Sequence, residues 1–519
     1  MPYTLSRGKK RERERTLGKP ARKDLRMRTR WTLLTILCGL LTLSGTGCAR
    51  KVNKNHPQLL VTTRISLRSD GGQGIGASVT DRPGLSDDGR FIVYSSKAPN
   101  LVPNNLDQNN ASDVFYWDNL TRTTTCVSVT PGVAGVPANG PSGYPSISGD
   151  GRYVCFQSRA ANITSDASDF PLTQRQHIYV RDMVAGVTTL VDRSTGDAPA
   201  GLKASQDSLN PEISKDGNWV VFESAAPNLD GDPGPATLLA PDDDALVDIY
   251  LRNVNPLLSG NQHTTELISK ASDQFGGAKG NGDSTAPSIS ANGDRIAFQS
   301  VATNLIPDVS VFGPDLNGAV TDVFMRDRTV PGANTTVRIS VAHPSSVTAP
   351  NPDGPSIAPS ISADGLMVAF VSLATNIDPA DDGPANDIFI RDLRPGPTFN
   401  TTTIASVHSS GAQAGNGCNF PRLSGDGSLV TWQSPSPSLV NGDSNGPTTE
   451  DIFLHHNTDG TGVTERLSIA TYDTELNGRS LRPNISRDGR YVAFYTEATN
   501  ASDDDSNGTS DFYLRGPPF

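Results

Sequence analysis

The residues best placed to do chemistry are Asp and Asn side chains that recur in short polar loops. The clearest are Asp107-x-Asn109-Asn110-x-x-Asp113, Asp315-x-Asn317-Gly318 before Asp322, Asp443-x-Asn445-Gly446 before Asp451, and Asp505-x-Asn507-Gly508-x-x-Asp511. Asp381, Asp382, Gly383 and Asp387 form a looser version, as do Asp242–Asp244 with Asp248, while another loop keeps only Asp166 and Asp169. Oxygen ligands at alternating positions, a Gly for a sharp turn and a carboxylate beyond it are what a hard cation such as Ca²⁺ requires. The spacing is shorter than an EF-hand loop. The same residues also fold turns through side-chain-to-backbone bonds and lead into strands. The spacing is compatible with both a calcium site and a structural turn.

Other chemistries find less in the chain. One G-x-S-x-G occurs, Gly442-Asp443-Ser444-Asn445-Gly446, but it falls in a polar loop leading into a strand rather than on the strand-to-helix turn of a nucleophile elbow, and it does not point to such a hydrolase. The seven histidines, His56, His177, His263, His343, His408, His455 and His456, are scattered without metal-site spacing. Adjacent residues of a strand point to opposite faces, so His455 and His456 are expected to be solvent-exposed variation rather than joint ligands. Cys126, Cys155 and Cys418 allow at most one disulfide among them, and Cys155 takes a place held elsewhere by Val or Ala, as a buried small residue would. The Arg-Asp pairs Arg181/Asp182, Arg326/Asp327 and Arg391/Asp392 recur too regularly for a unique site, and are expected to make structural contacts between repeats.

The elements that must position these loops come from one repeated phrase. It reads RPGLSDDGRFIVYSS from Arg82, YPSISGDGRYVCFQS from Tyr144, NPEISKDGNWVVFES from Asn210, APSISANGDRIAFQS from Ala286, APSISADGLMVAFVS from Ala358, FPRLSGDGSLVTWQS from Phe420 and RPNISRDGRYVAFYT from Arg482. The marker prolines Pro83, Pro145, Pro211, Pro287, Pro359, Pro421 and Pro483 are 62, 66, 76, 72, 62 and 62 residues apart, the period of an array. Each phrase predicts a strand, an Asp-Gly or Asn-Gly turn and a second strand with apolar alternation. SDVFYWD, QHIYVRD, VDIYLRN, TDVFMRD, NDIFIRD, EDIFLHH and SDFYLRG supply third strands. Fourth strands follow near Thr124–Val129, Thr188–Asp192, Thr264–Ser269, Thr335–Ser340, Thr402–Ser406 and Thr464–Ser468, where Thr and Val suit a pleated surface.

Four antiparallel strands repeated radially make an all-β, seven-bladed β-propeller. The seventh repeat stops after its third strand, while Thr62–Leu67 reads as a fourth strand with no blade of its own. The N-terminal strand is therefore expected to complete the last blade and close the ring. In such blades the loops alternate faces. The acidic loops should share a rim with the long connections between blades, and the Asp-Gly hairpins should lie opposite.

The first 30 residues hold 12 Lys/Arg against 3 Asp/Glu, and Trp31 to Gly47 carry no charge. That layout predicts a secretory signal over residues 1–47, with Met27 an alternative start. The apolar run is too short to span a bilayer comfortably. Leu43-Ser44-Gly45-Thr46-Gly47-Cys48 resembles a bacterial lipobox, which implies a lipidated Cys48 as the mature first residue. Ala49 then points to the outer membrane, facing the periplasm or the cell surface. Residues 48–58 form a linker and 59–516 the propeller. The whole chain has 44 basic and 55 acidic residues, so losing the leader brings the mature charge near −20. Nucleic acid is excluded as a partner, because phosphate binding needs a basic surface.

The motif P-x-[IL]-S-x-[DN]-G-x-x-[VI]-x-[FYW]-x-S, with its later Arg-Asp strand, resembles the WD40-like PD40 repeats of TolB-type bacterial propellers over residues 60–515. The resemblance implies the fold and repeat type rather than one activity. TolB-type proteins carry an α/β domain ahead of the propeller, where this chain has only residues 49–58 after Cys48. The expected function is a non-enzymatic, lipid-anchored scaffold that binds an envelope protein or glycan through its acidic, loop-rich rim, with membrane contact through the lipid only. The alternative is a metal-dependent propeller enzyme of lyase or lactonase type, with its site in the central channel.

Overall fold

In the computed structural model, the described residues are 60–518 apart from 80, 103–106, 108, 132–135, 165–174, 196–201, 230–244, 256–262, 307–316, 331, 345–350, 397–399, 458–461 and 471–472. The signal, Cys48 and the linker up to residue 59 lie outside them. The described strands form seven four-stranded antiparallel sheets, one per repeat. Blade two is representative, with strands Ser142–Ile147, Tyr153–Ser158, His177–Asp182 and Val187–Leu190. Fourth strands are shorter than expected, for example Thr123–Cys126 and Thr401–Ile404.

Burial departs from the alternation expected of the second and third strands. Ile92, Val93 and Tyr94 are consecutive and all 0% exposed, as are Val154, Cys155 and Phe156. The reason is that each blade is covered on both faces by its neighbours. Only the outer strands keep the alternating pattern, as Thr123–Cys126 does. The apolar residues accordingly divide into seven clusters that lie between successive blades, such as Val93, Phe156 and Tyr179 between blades one and two. Within every blade, one aromatic of the second strand stacks on its direct partner in the third. Phe156 lies over Tyr179 at 5.9 Å, Phe298 over Phe324 at 5.9 Å and Trp432 over Phe453 at 6.2 Å. Such pairs pin the register, because a one-residue slip would send both rings to the other face.

The repeated letters have separate mechanical roles. In S-x-[DN]-G the Ser86 hydroxyl donates to Asp88 Oδ1 and accepts from the Phe91 N–H, while Asp88 Oδ1 accepts from the Arg90 N–H. The same box recurs in the other six hairpins. Its Gly has positive φ, and at Gly151 a Cβ would stand 2.1 Å from the Phe91 ring of the preceding blade, so space and conformation both demand Gly. The residue between Ser and Asp joins the blades to each other. Backbone bonds run from Asp87 N to Gly149 O (2.9 Å), Gly149 N to Lys215 O (2.8 Å), Asp216 N to Ala291 O (3.0 Å) and Ala291 N to Ala363 O (2.9 Å). They continue from Ala363 N to Gly425 O (2.8 Å), Gly425 N to Arg487 O (2.9 Å) and Asp488 N to Asp87 O (3.3 Å), which closes the circle.

The chain's ends meet as expected. Val61–Arg64 pairs antiparallel with Asp511–Gly516, from Val61 opposite Gly516 to Arg64 opposite Tyr513. Ile65 N–H then donates to Phe512 O at 2.9 Å, and Ile65 and Leu67 enter the cluster between blades seven and one. Ile65→Pro removes that donor and leaves the buried Phe512 carbonyl unpaired, at an expected cost of about 1–3 kcal/mol. Deleting residues 59–68 should go further, baring an edge strand and producing a less cooperative thermal melt with aggregation on size exclusion. A monomeric deletion variant with an unchanged melt would refute closure through this strand.

Candidate functional site

The first residue of the third strand is a buried Asp in six blades: Asp113, Asp248, Asp322, Asp387, Asp451 and Asp511, each at most 1% exposed. Its Oδ1 accepts a hydroxyl from a Ser just beyond the fourth strand. The distances are 2.6 Å from Ser128, 2.7 Å from Ser269, 2.6 Å from Ser340, 2.6 Å from Ser406, 2.5 Å from Ser468 and 2.5 Å from Ser66. The same Ser oxygen accepts the N–H after the Asp, as Val114 donates to Ser128 at 3.0 Å. Blade two exchanges the pair: His177 Nδ1 meets Asp192 Oδ2 at 2.8 Å, and Asp192 Oδ1 takes the Ile178 N–H at 3.1 Å. The third and fourth strands are thus tied at their rim end by a polar latch in every blade.

The Asn residues of the acidic loops extend this latch. Asn109 Nδ2 donates to Asp113 Oδ2 at 2.9 Å and to the Ala138 carbonyl at 2.6 Å. Asn317 bridges Asp322 and the Pro352 carbonyl, Asn445 bridges Asp451 and the Leu476 carbonyl, and Asn507 bridges Asp511 and the Gly74 carbonyl. These four acidic loops are therefore bound to the connection leading into the next blade. Asp315, Asp166, Asp169 and Asp242–Asp244 lie outside the described residues.

Charge compensation differs between blades. The fourth strand supplies Arg338 in blade four, Arg466 in blade six and Arg64 in blade seven. Arg64 Nη2 lies 3.2 Å from Asp505 Oδ1 and its Nε 3.7 Å from Asp511 Oδ2, while Arg338 Nη1 lies 3.7 Å from Asp322 Oδ2. Among the described residues, one trio of carboxylates, Asp443, Asp451 and Glu475, brings ligand oxygens within 4.8 Å of one another. Arg466 Nη1 sits against all three, at 3.6, 3.7 and 2.5 Å. A cation at these loops would compete with a guanidinium already in place. Blades one and five have Cys126 and Ile404 at the arginine's position and present no such competitor.

The acidities follow the surroundings. Burial pushes the Asp113 carboxyl up to about 7 against the bonds from Ser128 and Asn109, with Asp107 adding repulsion. Burial likewise raises Asp387 to about 6, with Asp381 and Asp382 adding to it. Asp451 and Asp511 also reach about 6, again through burial, although their arginines pull them down.

Several expectations need correction. His455 and His456 are buried, at 6% and 5% exposure, because the blade-end strand is covered. His455 Nδ1 meets Thr464 Oγ1 at 2.9 Å and stacks near Trp432, while His456 faces Glu465 at 3.4 Å. The Arg-Asp pairs are only partly contacts between blades. Arg326 reaches back to the Ala271 carbonyl and Asp273 of the preceding blade's connection, but Arg181 and Arg391 bond Thr188 and Thr402 of their own blades. Asp182 and Asp327 tie Arg152 and Arg295 of their own hairpins. Cys126, Cys155 and Cys418 are all buried free thiols.

A site that the sequence reading missed lies at the mouth of the central channel, in a cavity of 190 Å³. It is lined by the marker prolines and the residues preceding them. Those residues sit in a bulge, with φ of 52° at Tyr144, 49° at Asn210, 52° at Ala286, 53° at Ala358, 58° at Phe420 and 55° at Arg482. Side chains of the preceding blade hold several of these bulges by the backbone N–H. Gln157 accepts from Asn210 at 2.9 Å, Gln299 from Ala358 at 2.8 Å, Gln433 from Arg482 at 2.8 Å and Asp81 from Tyr144 at 3.0 Å. The available signal was the letter before each Pro, which varies from Arg to Ala while its neighbours repeat.

A pH test isolates the latch in blade five. The folded-state pKa of Asp387 lies above its unfolded value, so the folded chain holds the extra proton at low pH. That stabilisation is present below about pH 4 and is lost as pH rises through about 6. Asp387→Asn keeps an acceptor for Ser406 without the charge. Denaturant titrations should show the variant gaining about 1–3 kcal/mol over wild type between pH 4 and pH 8. A difference that does not change with pH would count against a raised Asp387.

No family model matches the chain, and no curated protein matches it. Among solved structures, the chain is similar to an oligogalacturonate lyase from Vibrio parahaemolyticus, at 10% identity over 88% of this chain and 93% of that one, with a TM-score of 0.46. It is also similar to a putative TolB from Agrobacterium tumefaciens, at 16% identity over 78% and 97% of the two chains, with a TM-score of 0.36. The β-propeller domain of the Trilobed protease from Pyrococcus furiosus is a third, at 8% identity over 84% and 95%, with a TM-score of 0.44. At these identities the likeness is one of fold.

Proposed function

We propose that this propeller is a non-enzymatic, lipid-anchored scaffold of the cell envelope that binds a protein or glycan partner across its loop-rich rim. The observation that carries the reading is the set of Asn bridges, Asn109 to Ala138, Asn317 to Pro352, Asn445 to Leu476 and Asn507 to Gly74. They gather the acidic loops and the connections between blades on one rim of a rigid frame, where binding residues concentrate. The latched carboxylates are buried, so the rim's available charge lies in exposed neighbours such as Asp382, Asp503 and Asp504. No helix among the described residues is long and apolar enough to cross a membrane. The proposed anchor is Cys48, from its lipobox-like context. Calcium is proposed as a structural ion only for blades one and five, at Asp107 with Asp113 and Asp381 with Asp387.

Capture from native membranes tests the reading. Wild type should retain a partner that the triple variant Asp382→Lys, Asp503→Lys, Asp504→Lys loses, with an unchanged melt. Cys48→Ala should move the protein from the membrane to the soluble fraction without altering that melt. Equal capture by wild type and the triple variant would remove the rim from the proposal. For calcium, the melting temperature should rise with the free ion, and Asp107→Asn with Asp381→Asn should blunt the rise. Saturation a hundredfold above Kd is worth about 2.7 kcal/mol per site.

A further inference from the structure

The residues at the channel mouth break the repeat symmetry. The position before the marker Pro holds Arg82, Tyr144, Asn210, Ala286, Ala358, Phe420 and Arg482 in the seven blades. Ala286 and Ala358 take the same left-handed backbone as Arg482, so the bulge does not need an arginine. A long side chain gains nothing from that conformation, which L-residues adopt at a cost. The position after the Pro tells the same story. It is Ser146, Ser288 and Ser360 in blades two, four and five, but Arg422 in blade six and, in blade three, Glu212, the partner of Arg82.

The surroundings leave the N–H groups of two of these arginines without acceptors. Arg482 lays its guanidinium over the Phe420 ring, 3.7 Å from the centroid, and is half-buried. Among the described residues, its guanidinium and that of Arg422 donate to no protein acceptor, although each carries five N–H groups. Arg82 differs, being paired with Glu212 at 3.3 Å. Asp81 is the one carboxylate lining the cavity; it accepts the Tyr144 N–H and attracts Arg482 through charge alone, without a hydrogen bond to its guanidinium. Glu223 accepts from Asn210 Nδ2 at 2.9 Å and from the Ala286 N–H. Below the mouth the positive character continues with Lys215 and Arg487, which line a second cavity of 70 Å³ together with Arg82, Arg422 and the single carboxylate Glu212. A chain of net charge −11 therefore holds a cationic pocket on its axis. Burial lowers the pKa of Arg482, as expected of a guanidinium withdrawn from water without a full complement of partners.

We propose that the channel mouth is a binding site for a small, ring-bearing carboxylate, its charge held by Arg482 and Arg422 and its flat body packed among the proline rings, Phe420 and Tyr144. Planar guanidinium forks match carboxylates in geometry, and a half-dry pocket strengthens the pairing. The apolar walls select a ring over a bare inorganic anion. Neither cavity is lined by a histidine, so recognition rests on charge and shape. This site is separate from the rim contact and is read with different variants, so either can fail alone.

Calorimetric titration of the full chain with benzoate tests the site, with benzamide as the neutral isostere and sulfate as the plain anion. Benzoate should bind at millimolar concentration or better, and benzamide and sulfate at least tenfold more weakly. Arg482→Ala and Arg422→Ser copy residues the repeat already uses at these positions, so both variants should melt as wild type does. Each should weaken benzoate at least tenfold, the loss expected for a charge-assisted bond, whereas Asp504→Asn on the rim should leave it unchanged. Equal binding of benzoate and benzamide, sulfate binding as tightly as benzoate, wild-type affinity in both arginine variants, or no binding of benzoate would each overturn the proposal.

Discussion

No blade of this protein has a hydrophobic core of its own. The apolar side chains of the second and third strands emerge on both faces of each sheet, and the seven clusters they form lie between blades. Each interface therefore depends on the next, around a circle with no natural starting point. At the hairpin end the circle is secured by backbone bonds from Asp87 through Gly149, Lys215 and Ala291 onward to Arg487 and back. At the outer edge it is secured once, where Val61–Arg64 lies on Asp511–Gly516. Whatever function the rim and the channel serve is performed on this closed frame.

Much of the frame could be read from the chain, because one phrase repeated seven times reports the same mechanical needs seven times. The Ser, the Asp and the Gly of the hairpin are neighbours in sequence and in space, so their partnership is visible in the letters. The complementary defects at the two ends likewise revealed the closing strand. What misled was the alternation of the second and third strands. It suggested one wet face, and the wet face disappears when sheets stack radially. The burial of His455 and His456 has the same origin.

The acidic loops were legible only in part, for a reason of distance along the chain. Asp113 and Asn109 can be seen to be close, but Ser128 and the Ala138 carbonyl, which decide what they do, come from beyond the following hairpin. Nor does the local spacing reveal that blades four, six and seven bring an arginine to the same carboxylates while blades one and five do not. Two loops with one spelling thus carry different electrostatics. The channel mouth was hidden for the opposite reason. A search for repeats attends to the letters that stay the same, and the residues facing the channel are the letters that change.

The Asn bridges have a further consequence for how such a molecule can be altered. They clamp the acidic loops of blades one, four, six and seven where these enter the third strand, so residues added upstream of the clamp leave the strand, its stacked aromatic and its latch in register. The chain shows this tolerance. From Asn500 to Asp511 the stretch is short, whereas from Asn304 to Asp322 it is much longer, with the same buried Asp and the same Asn bridge at its end. Blade four has in effect been given a grafting point, at which new surface can be installed without renegotiating the architecture beneath.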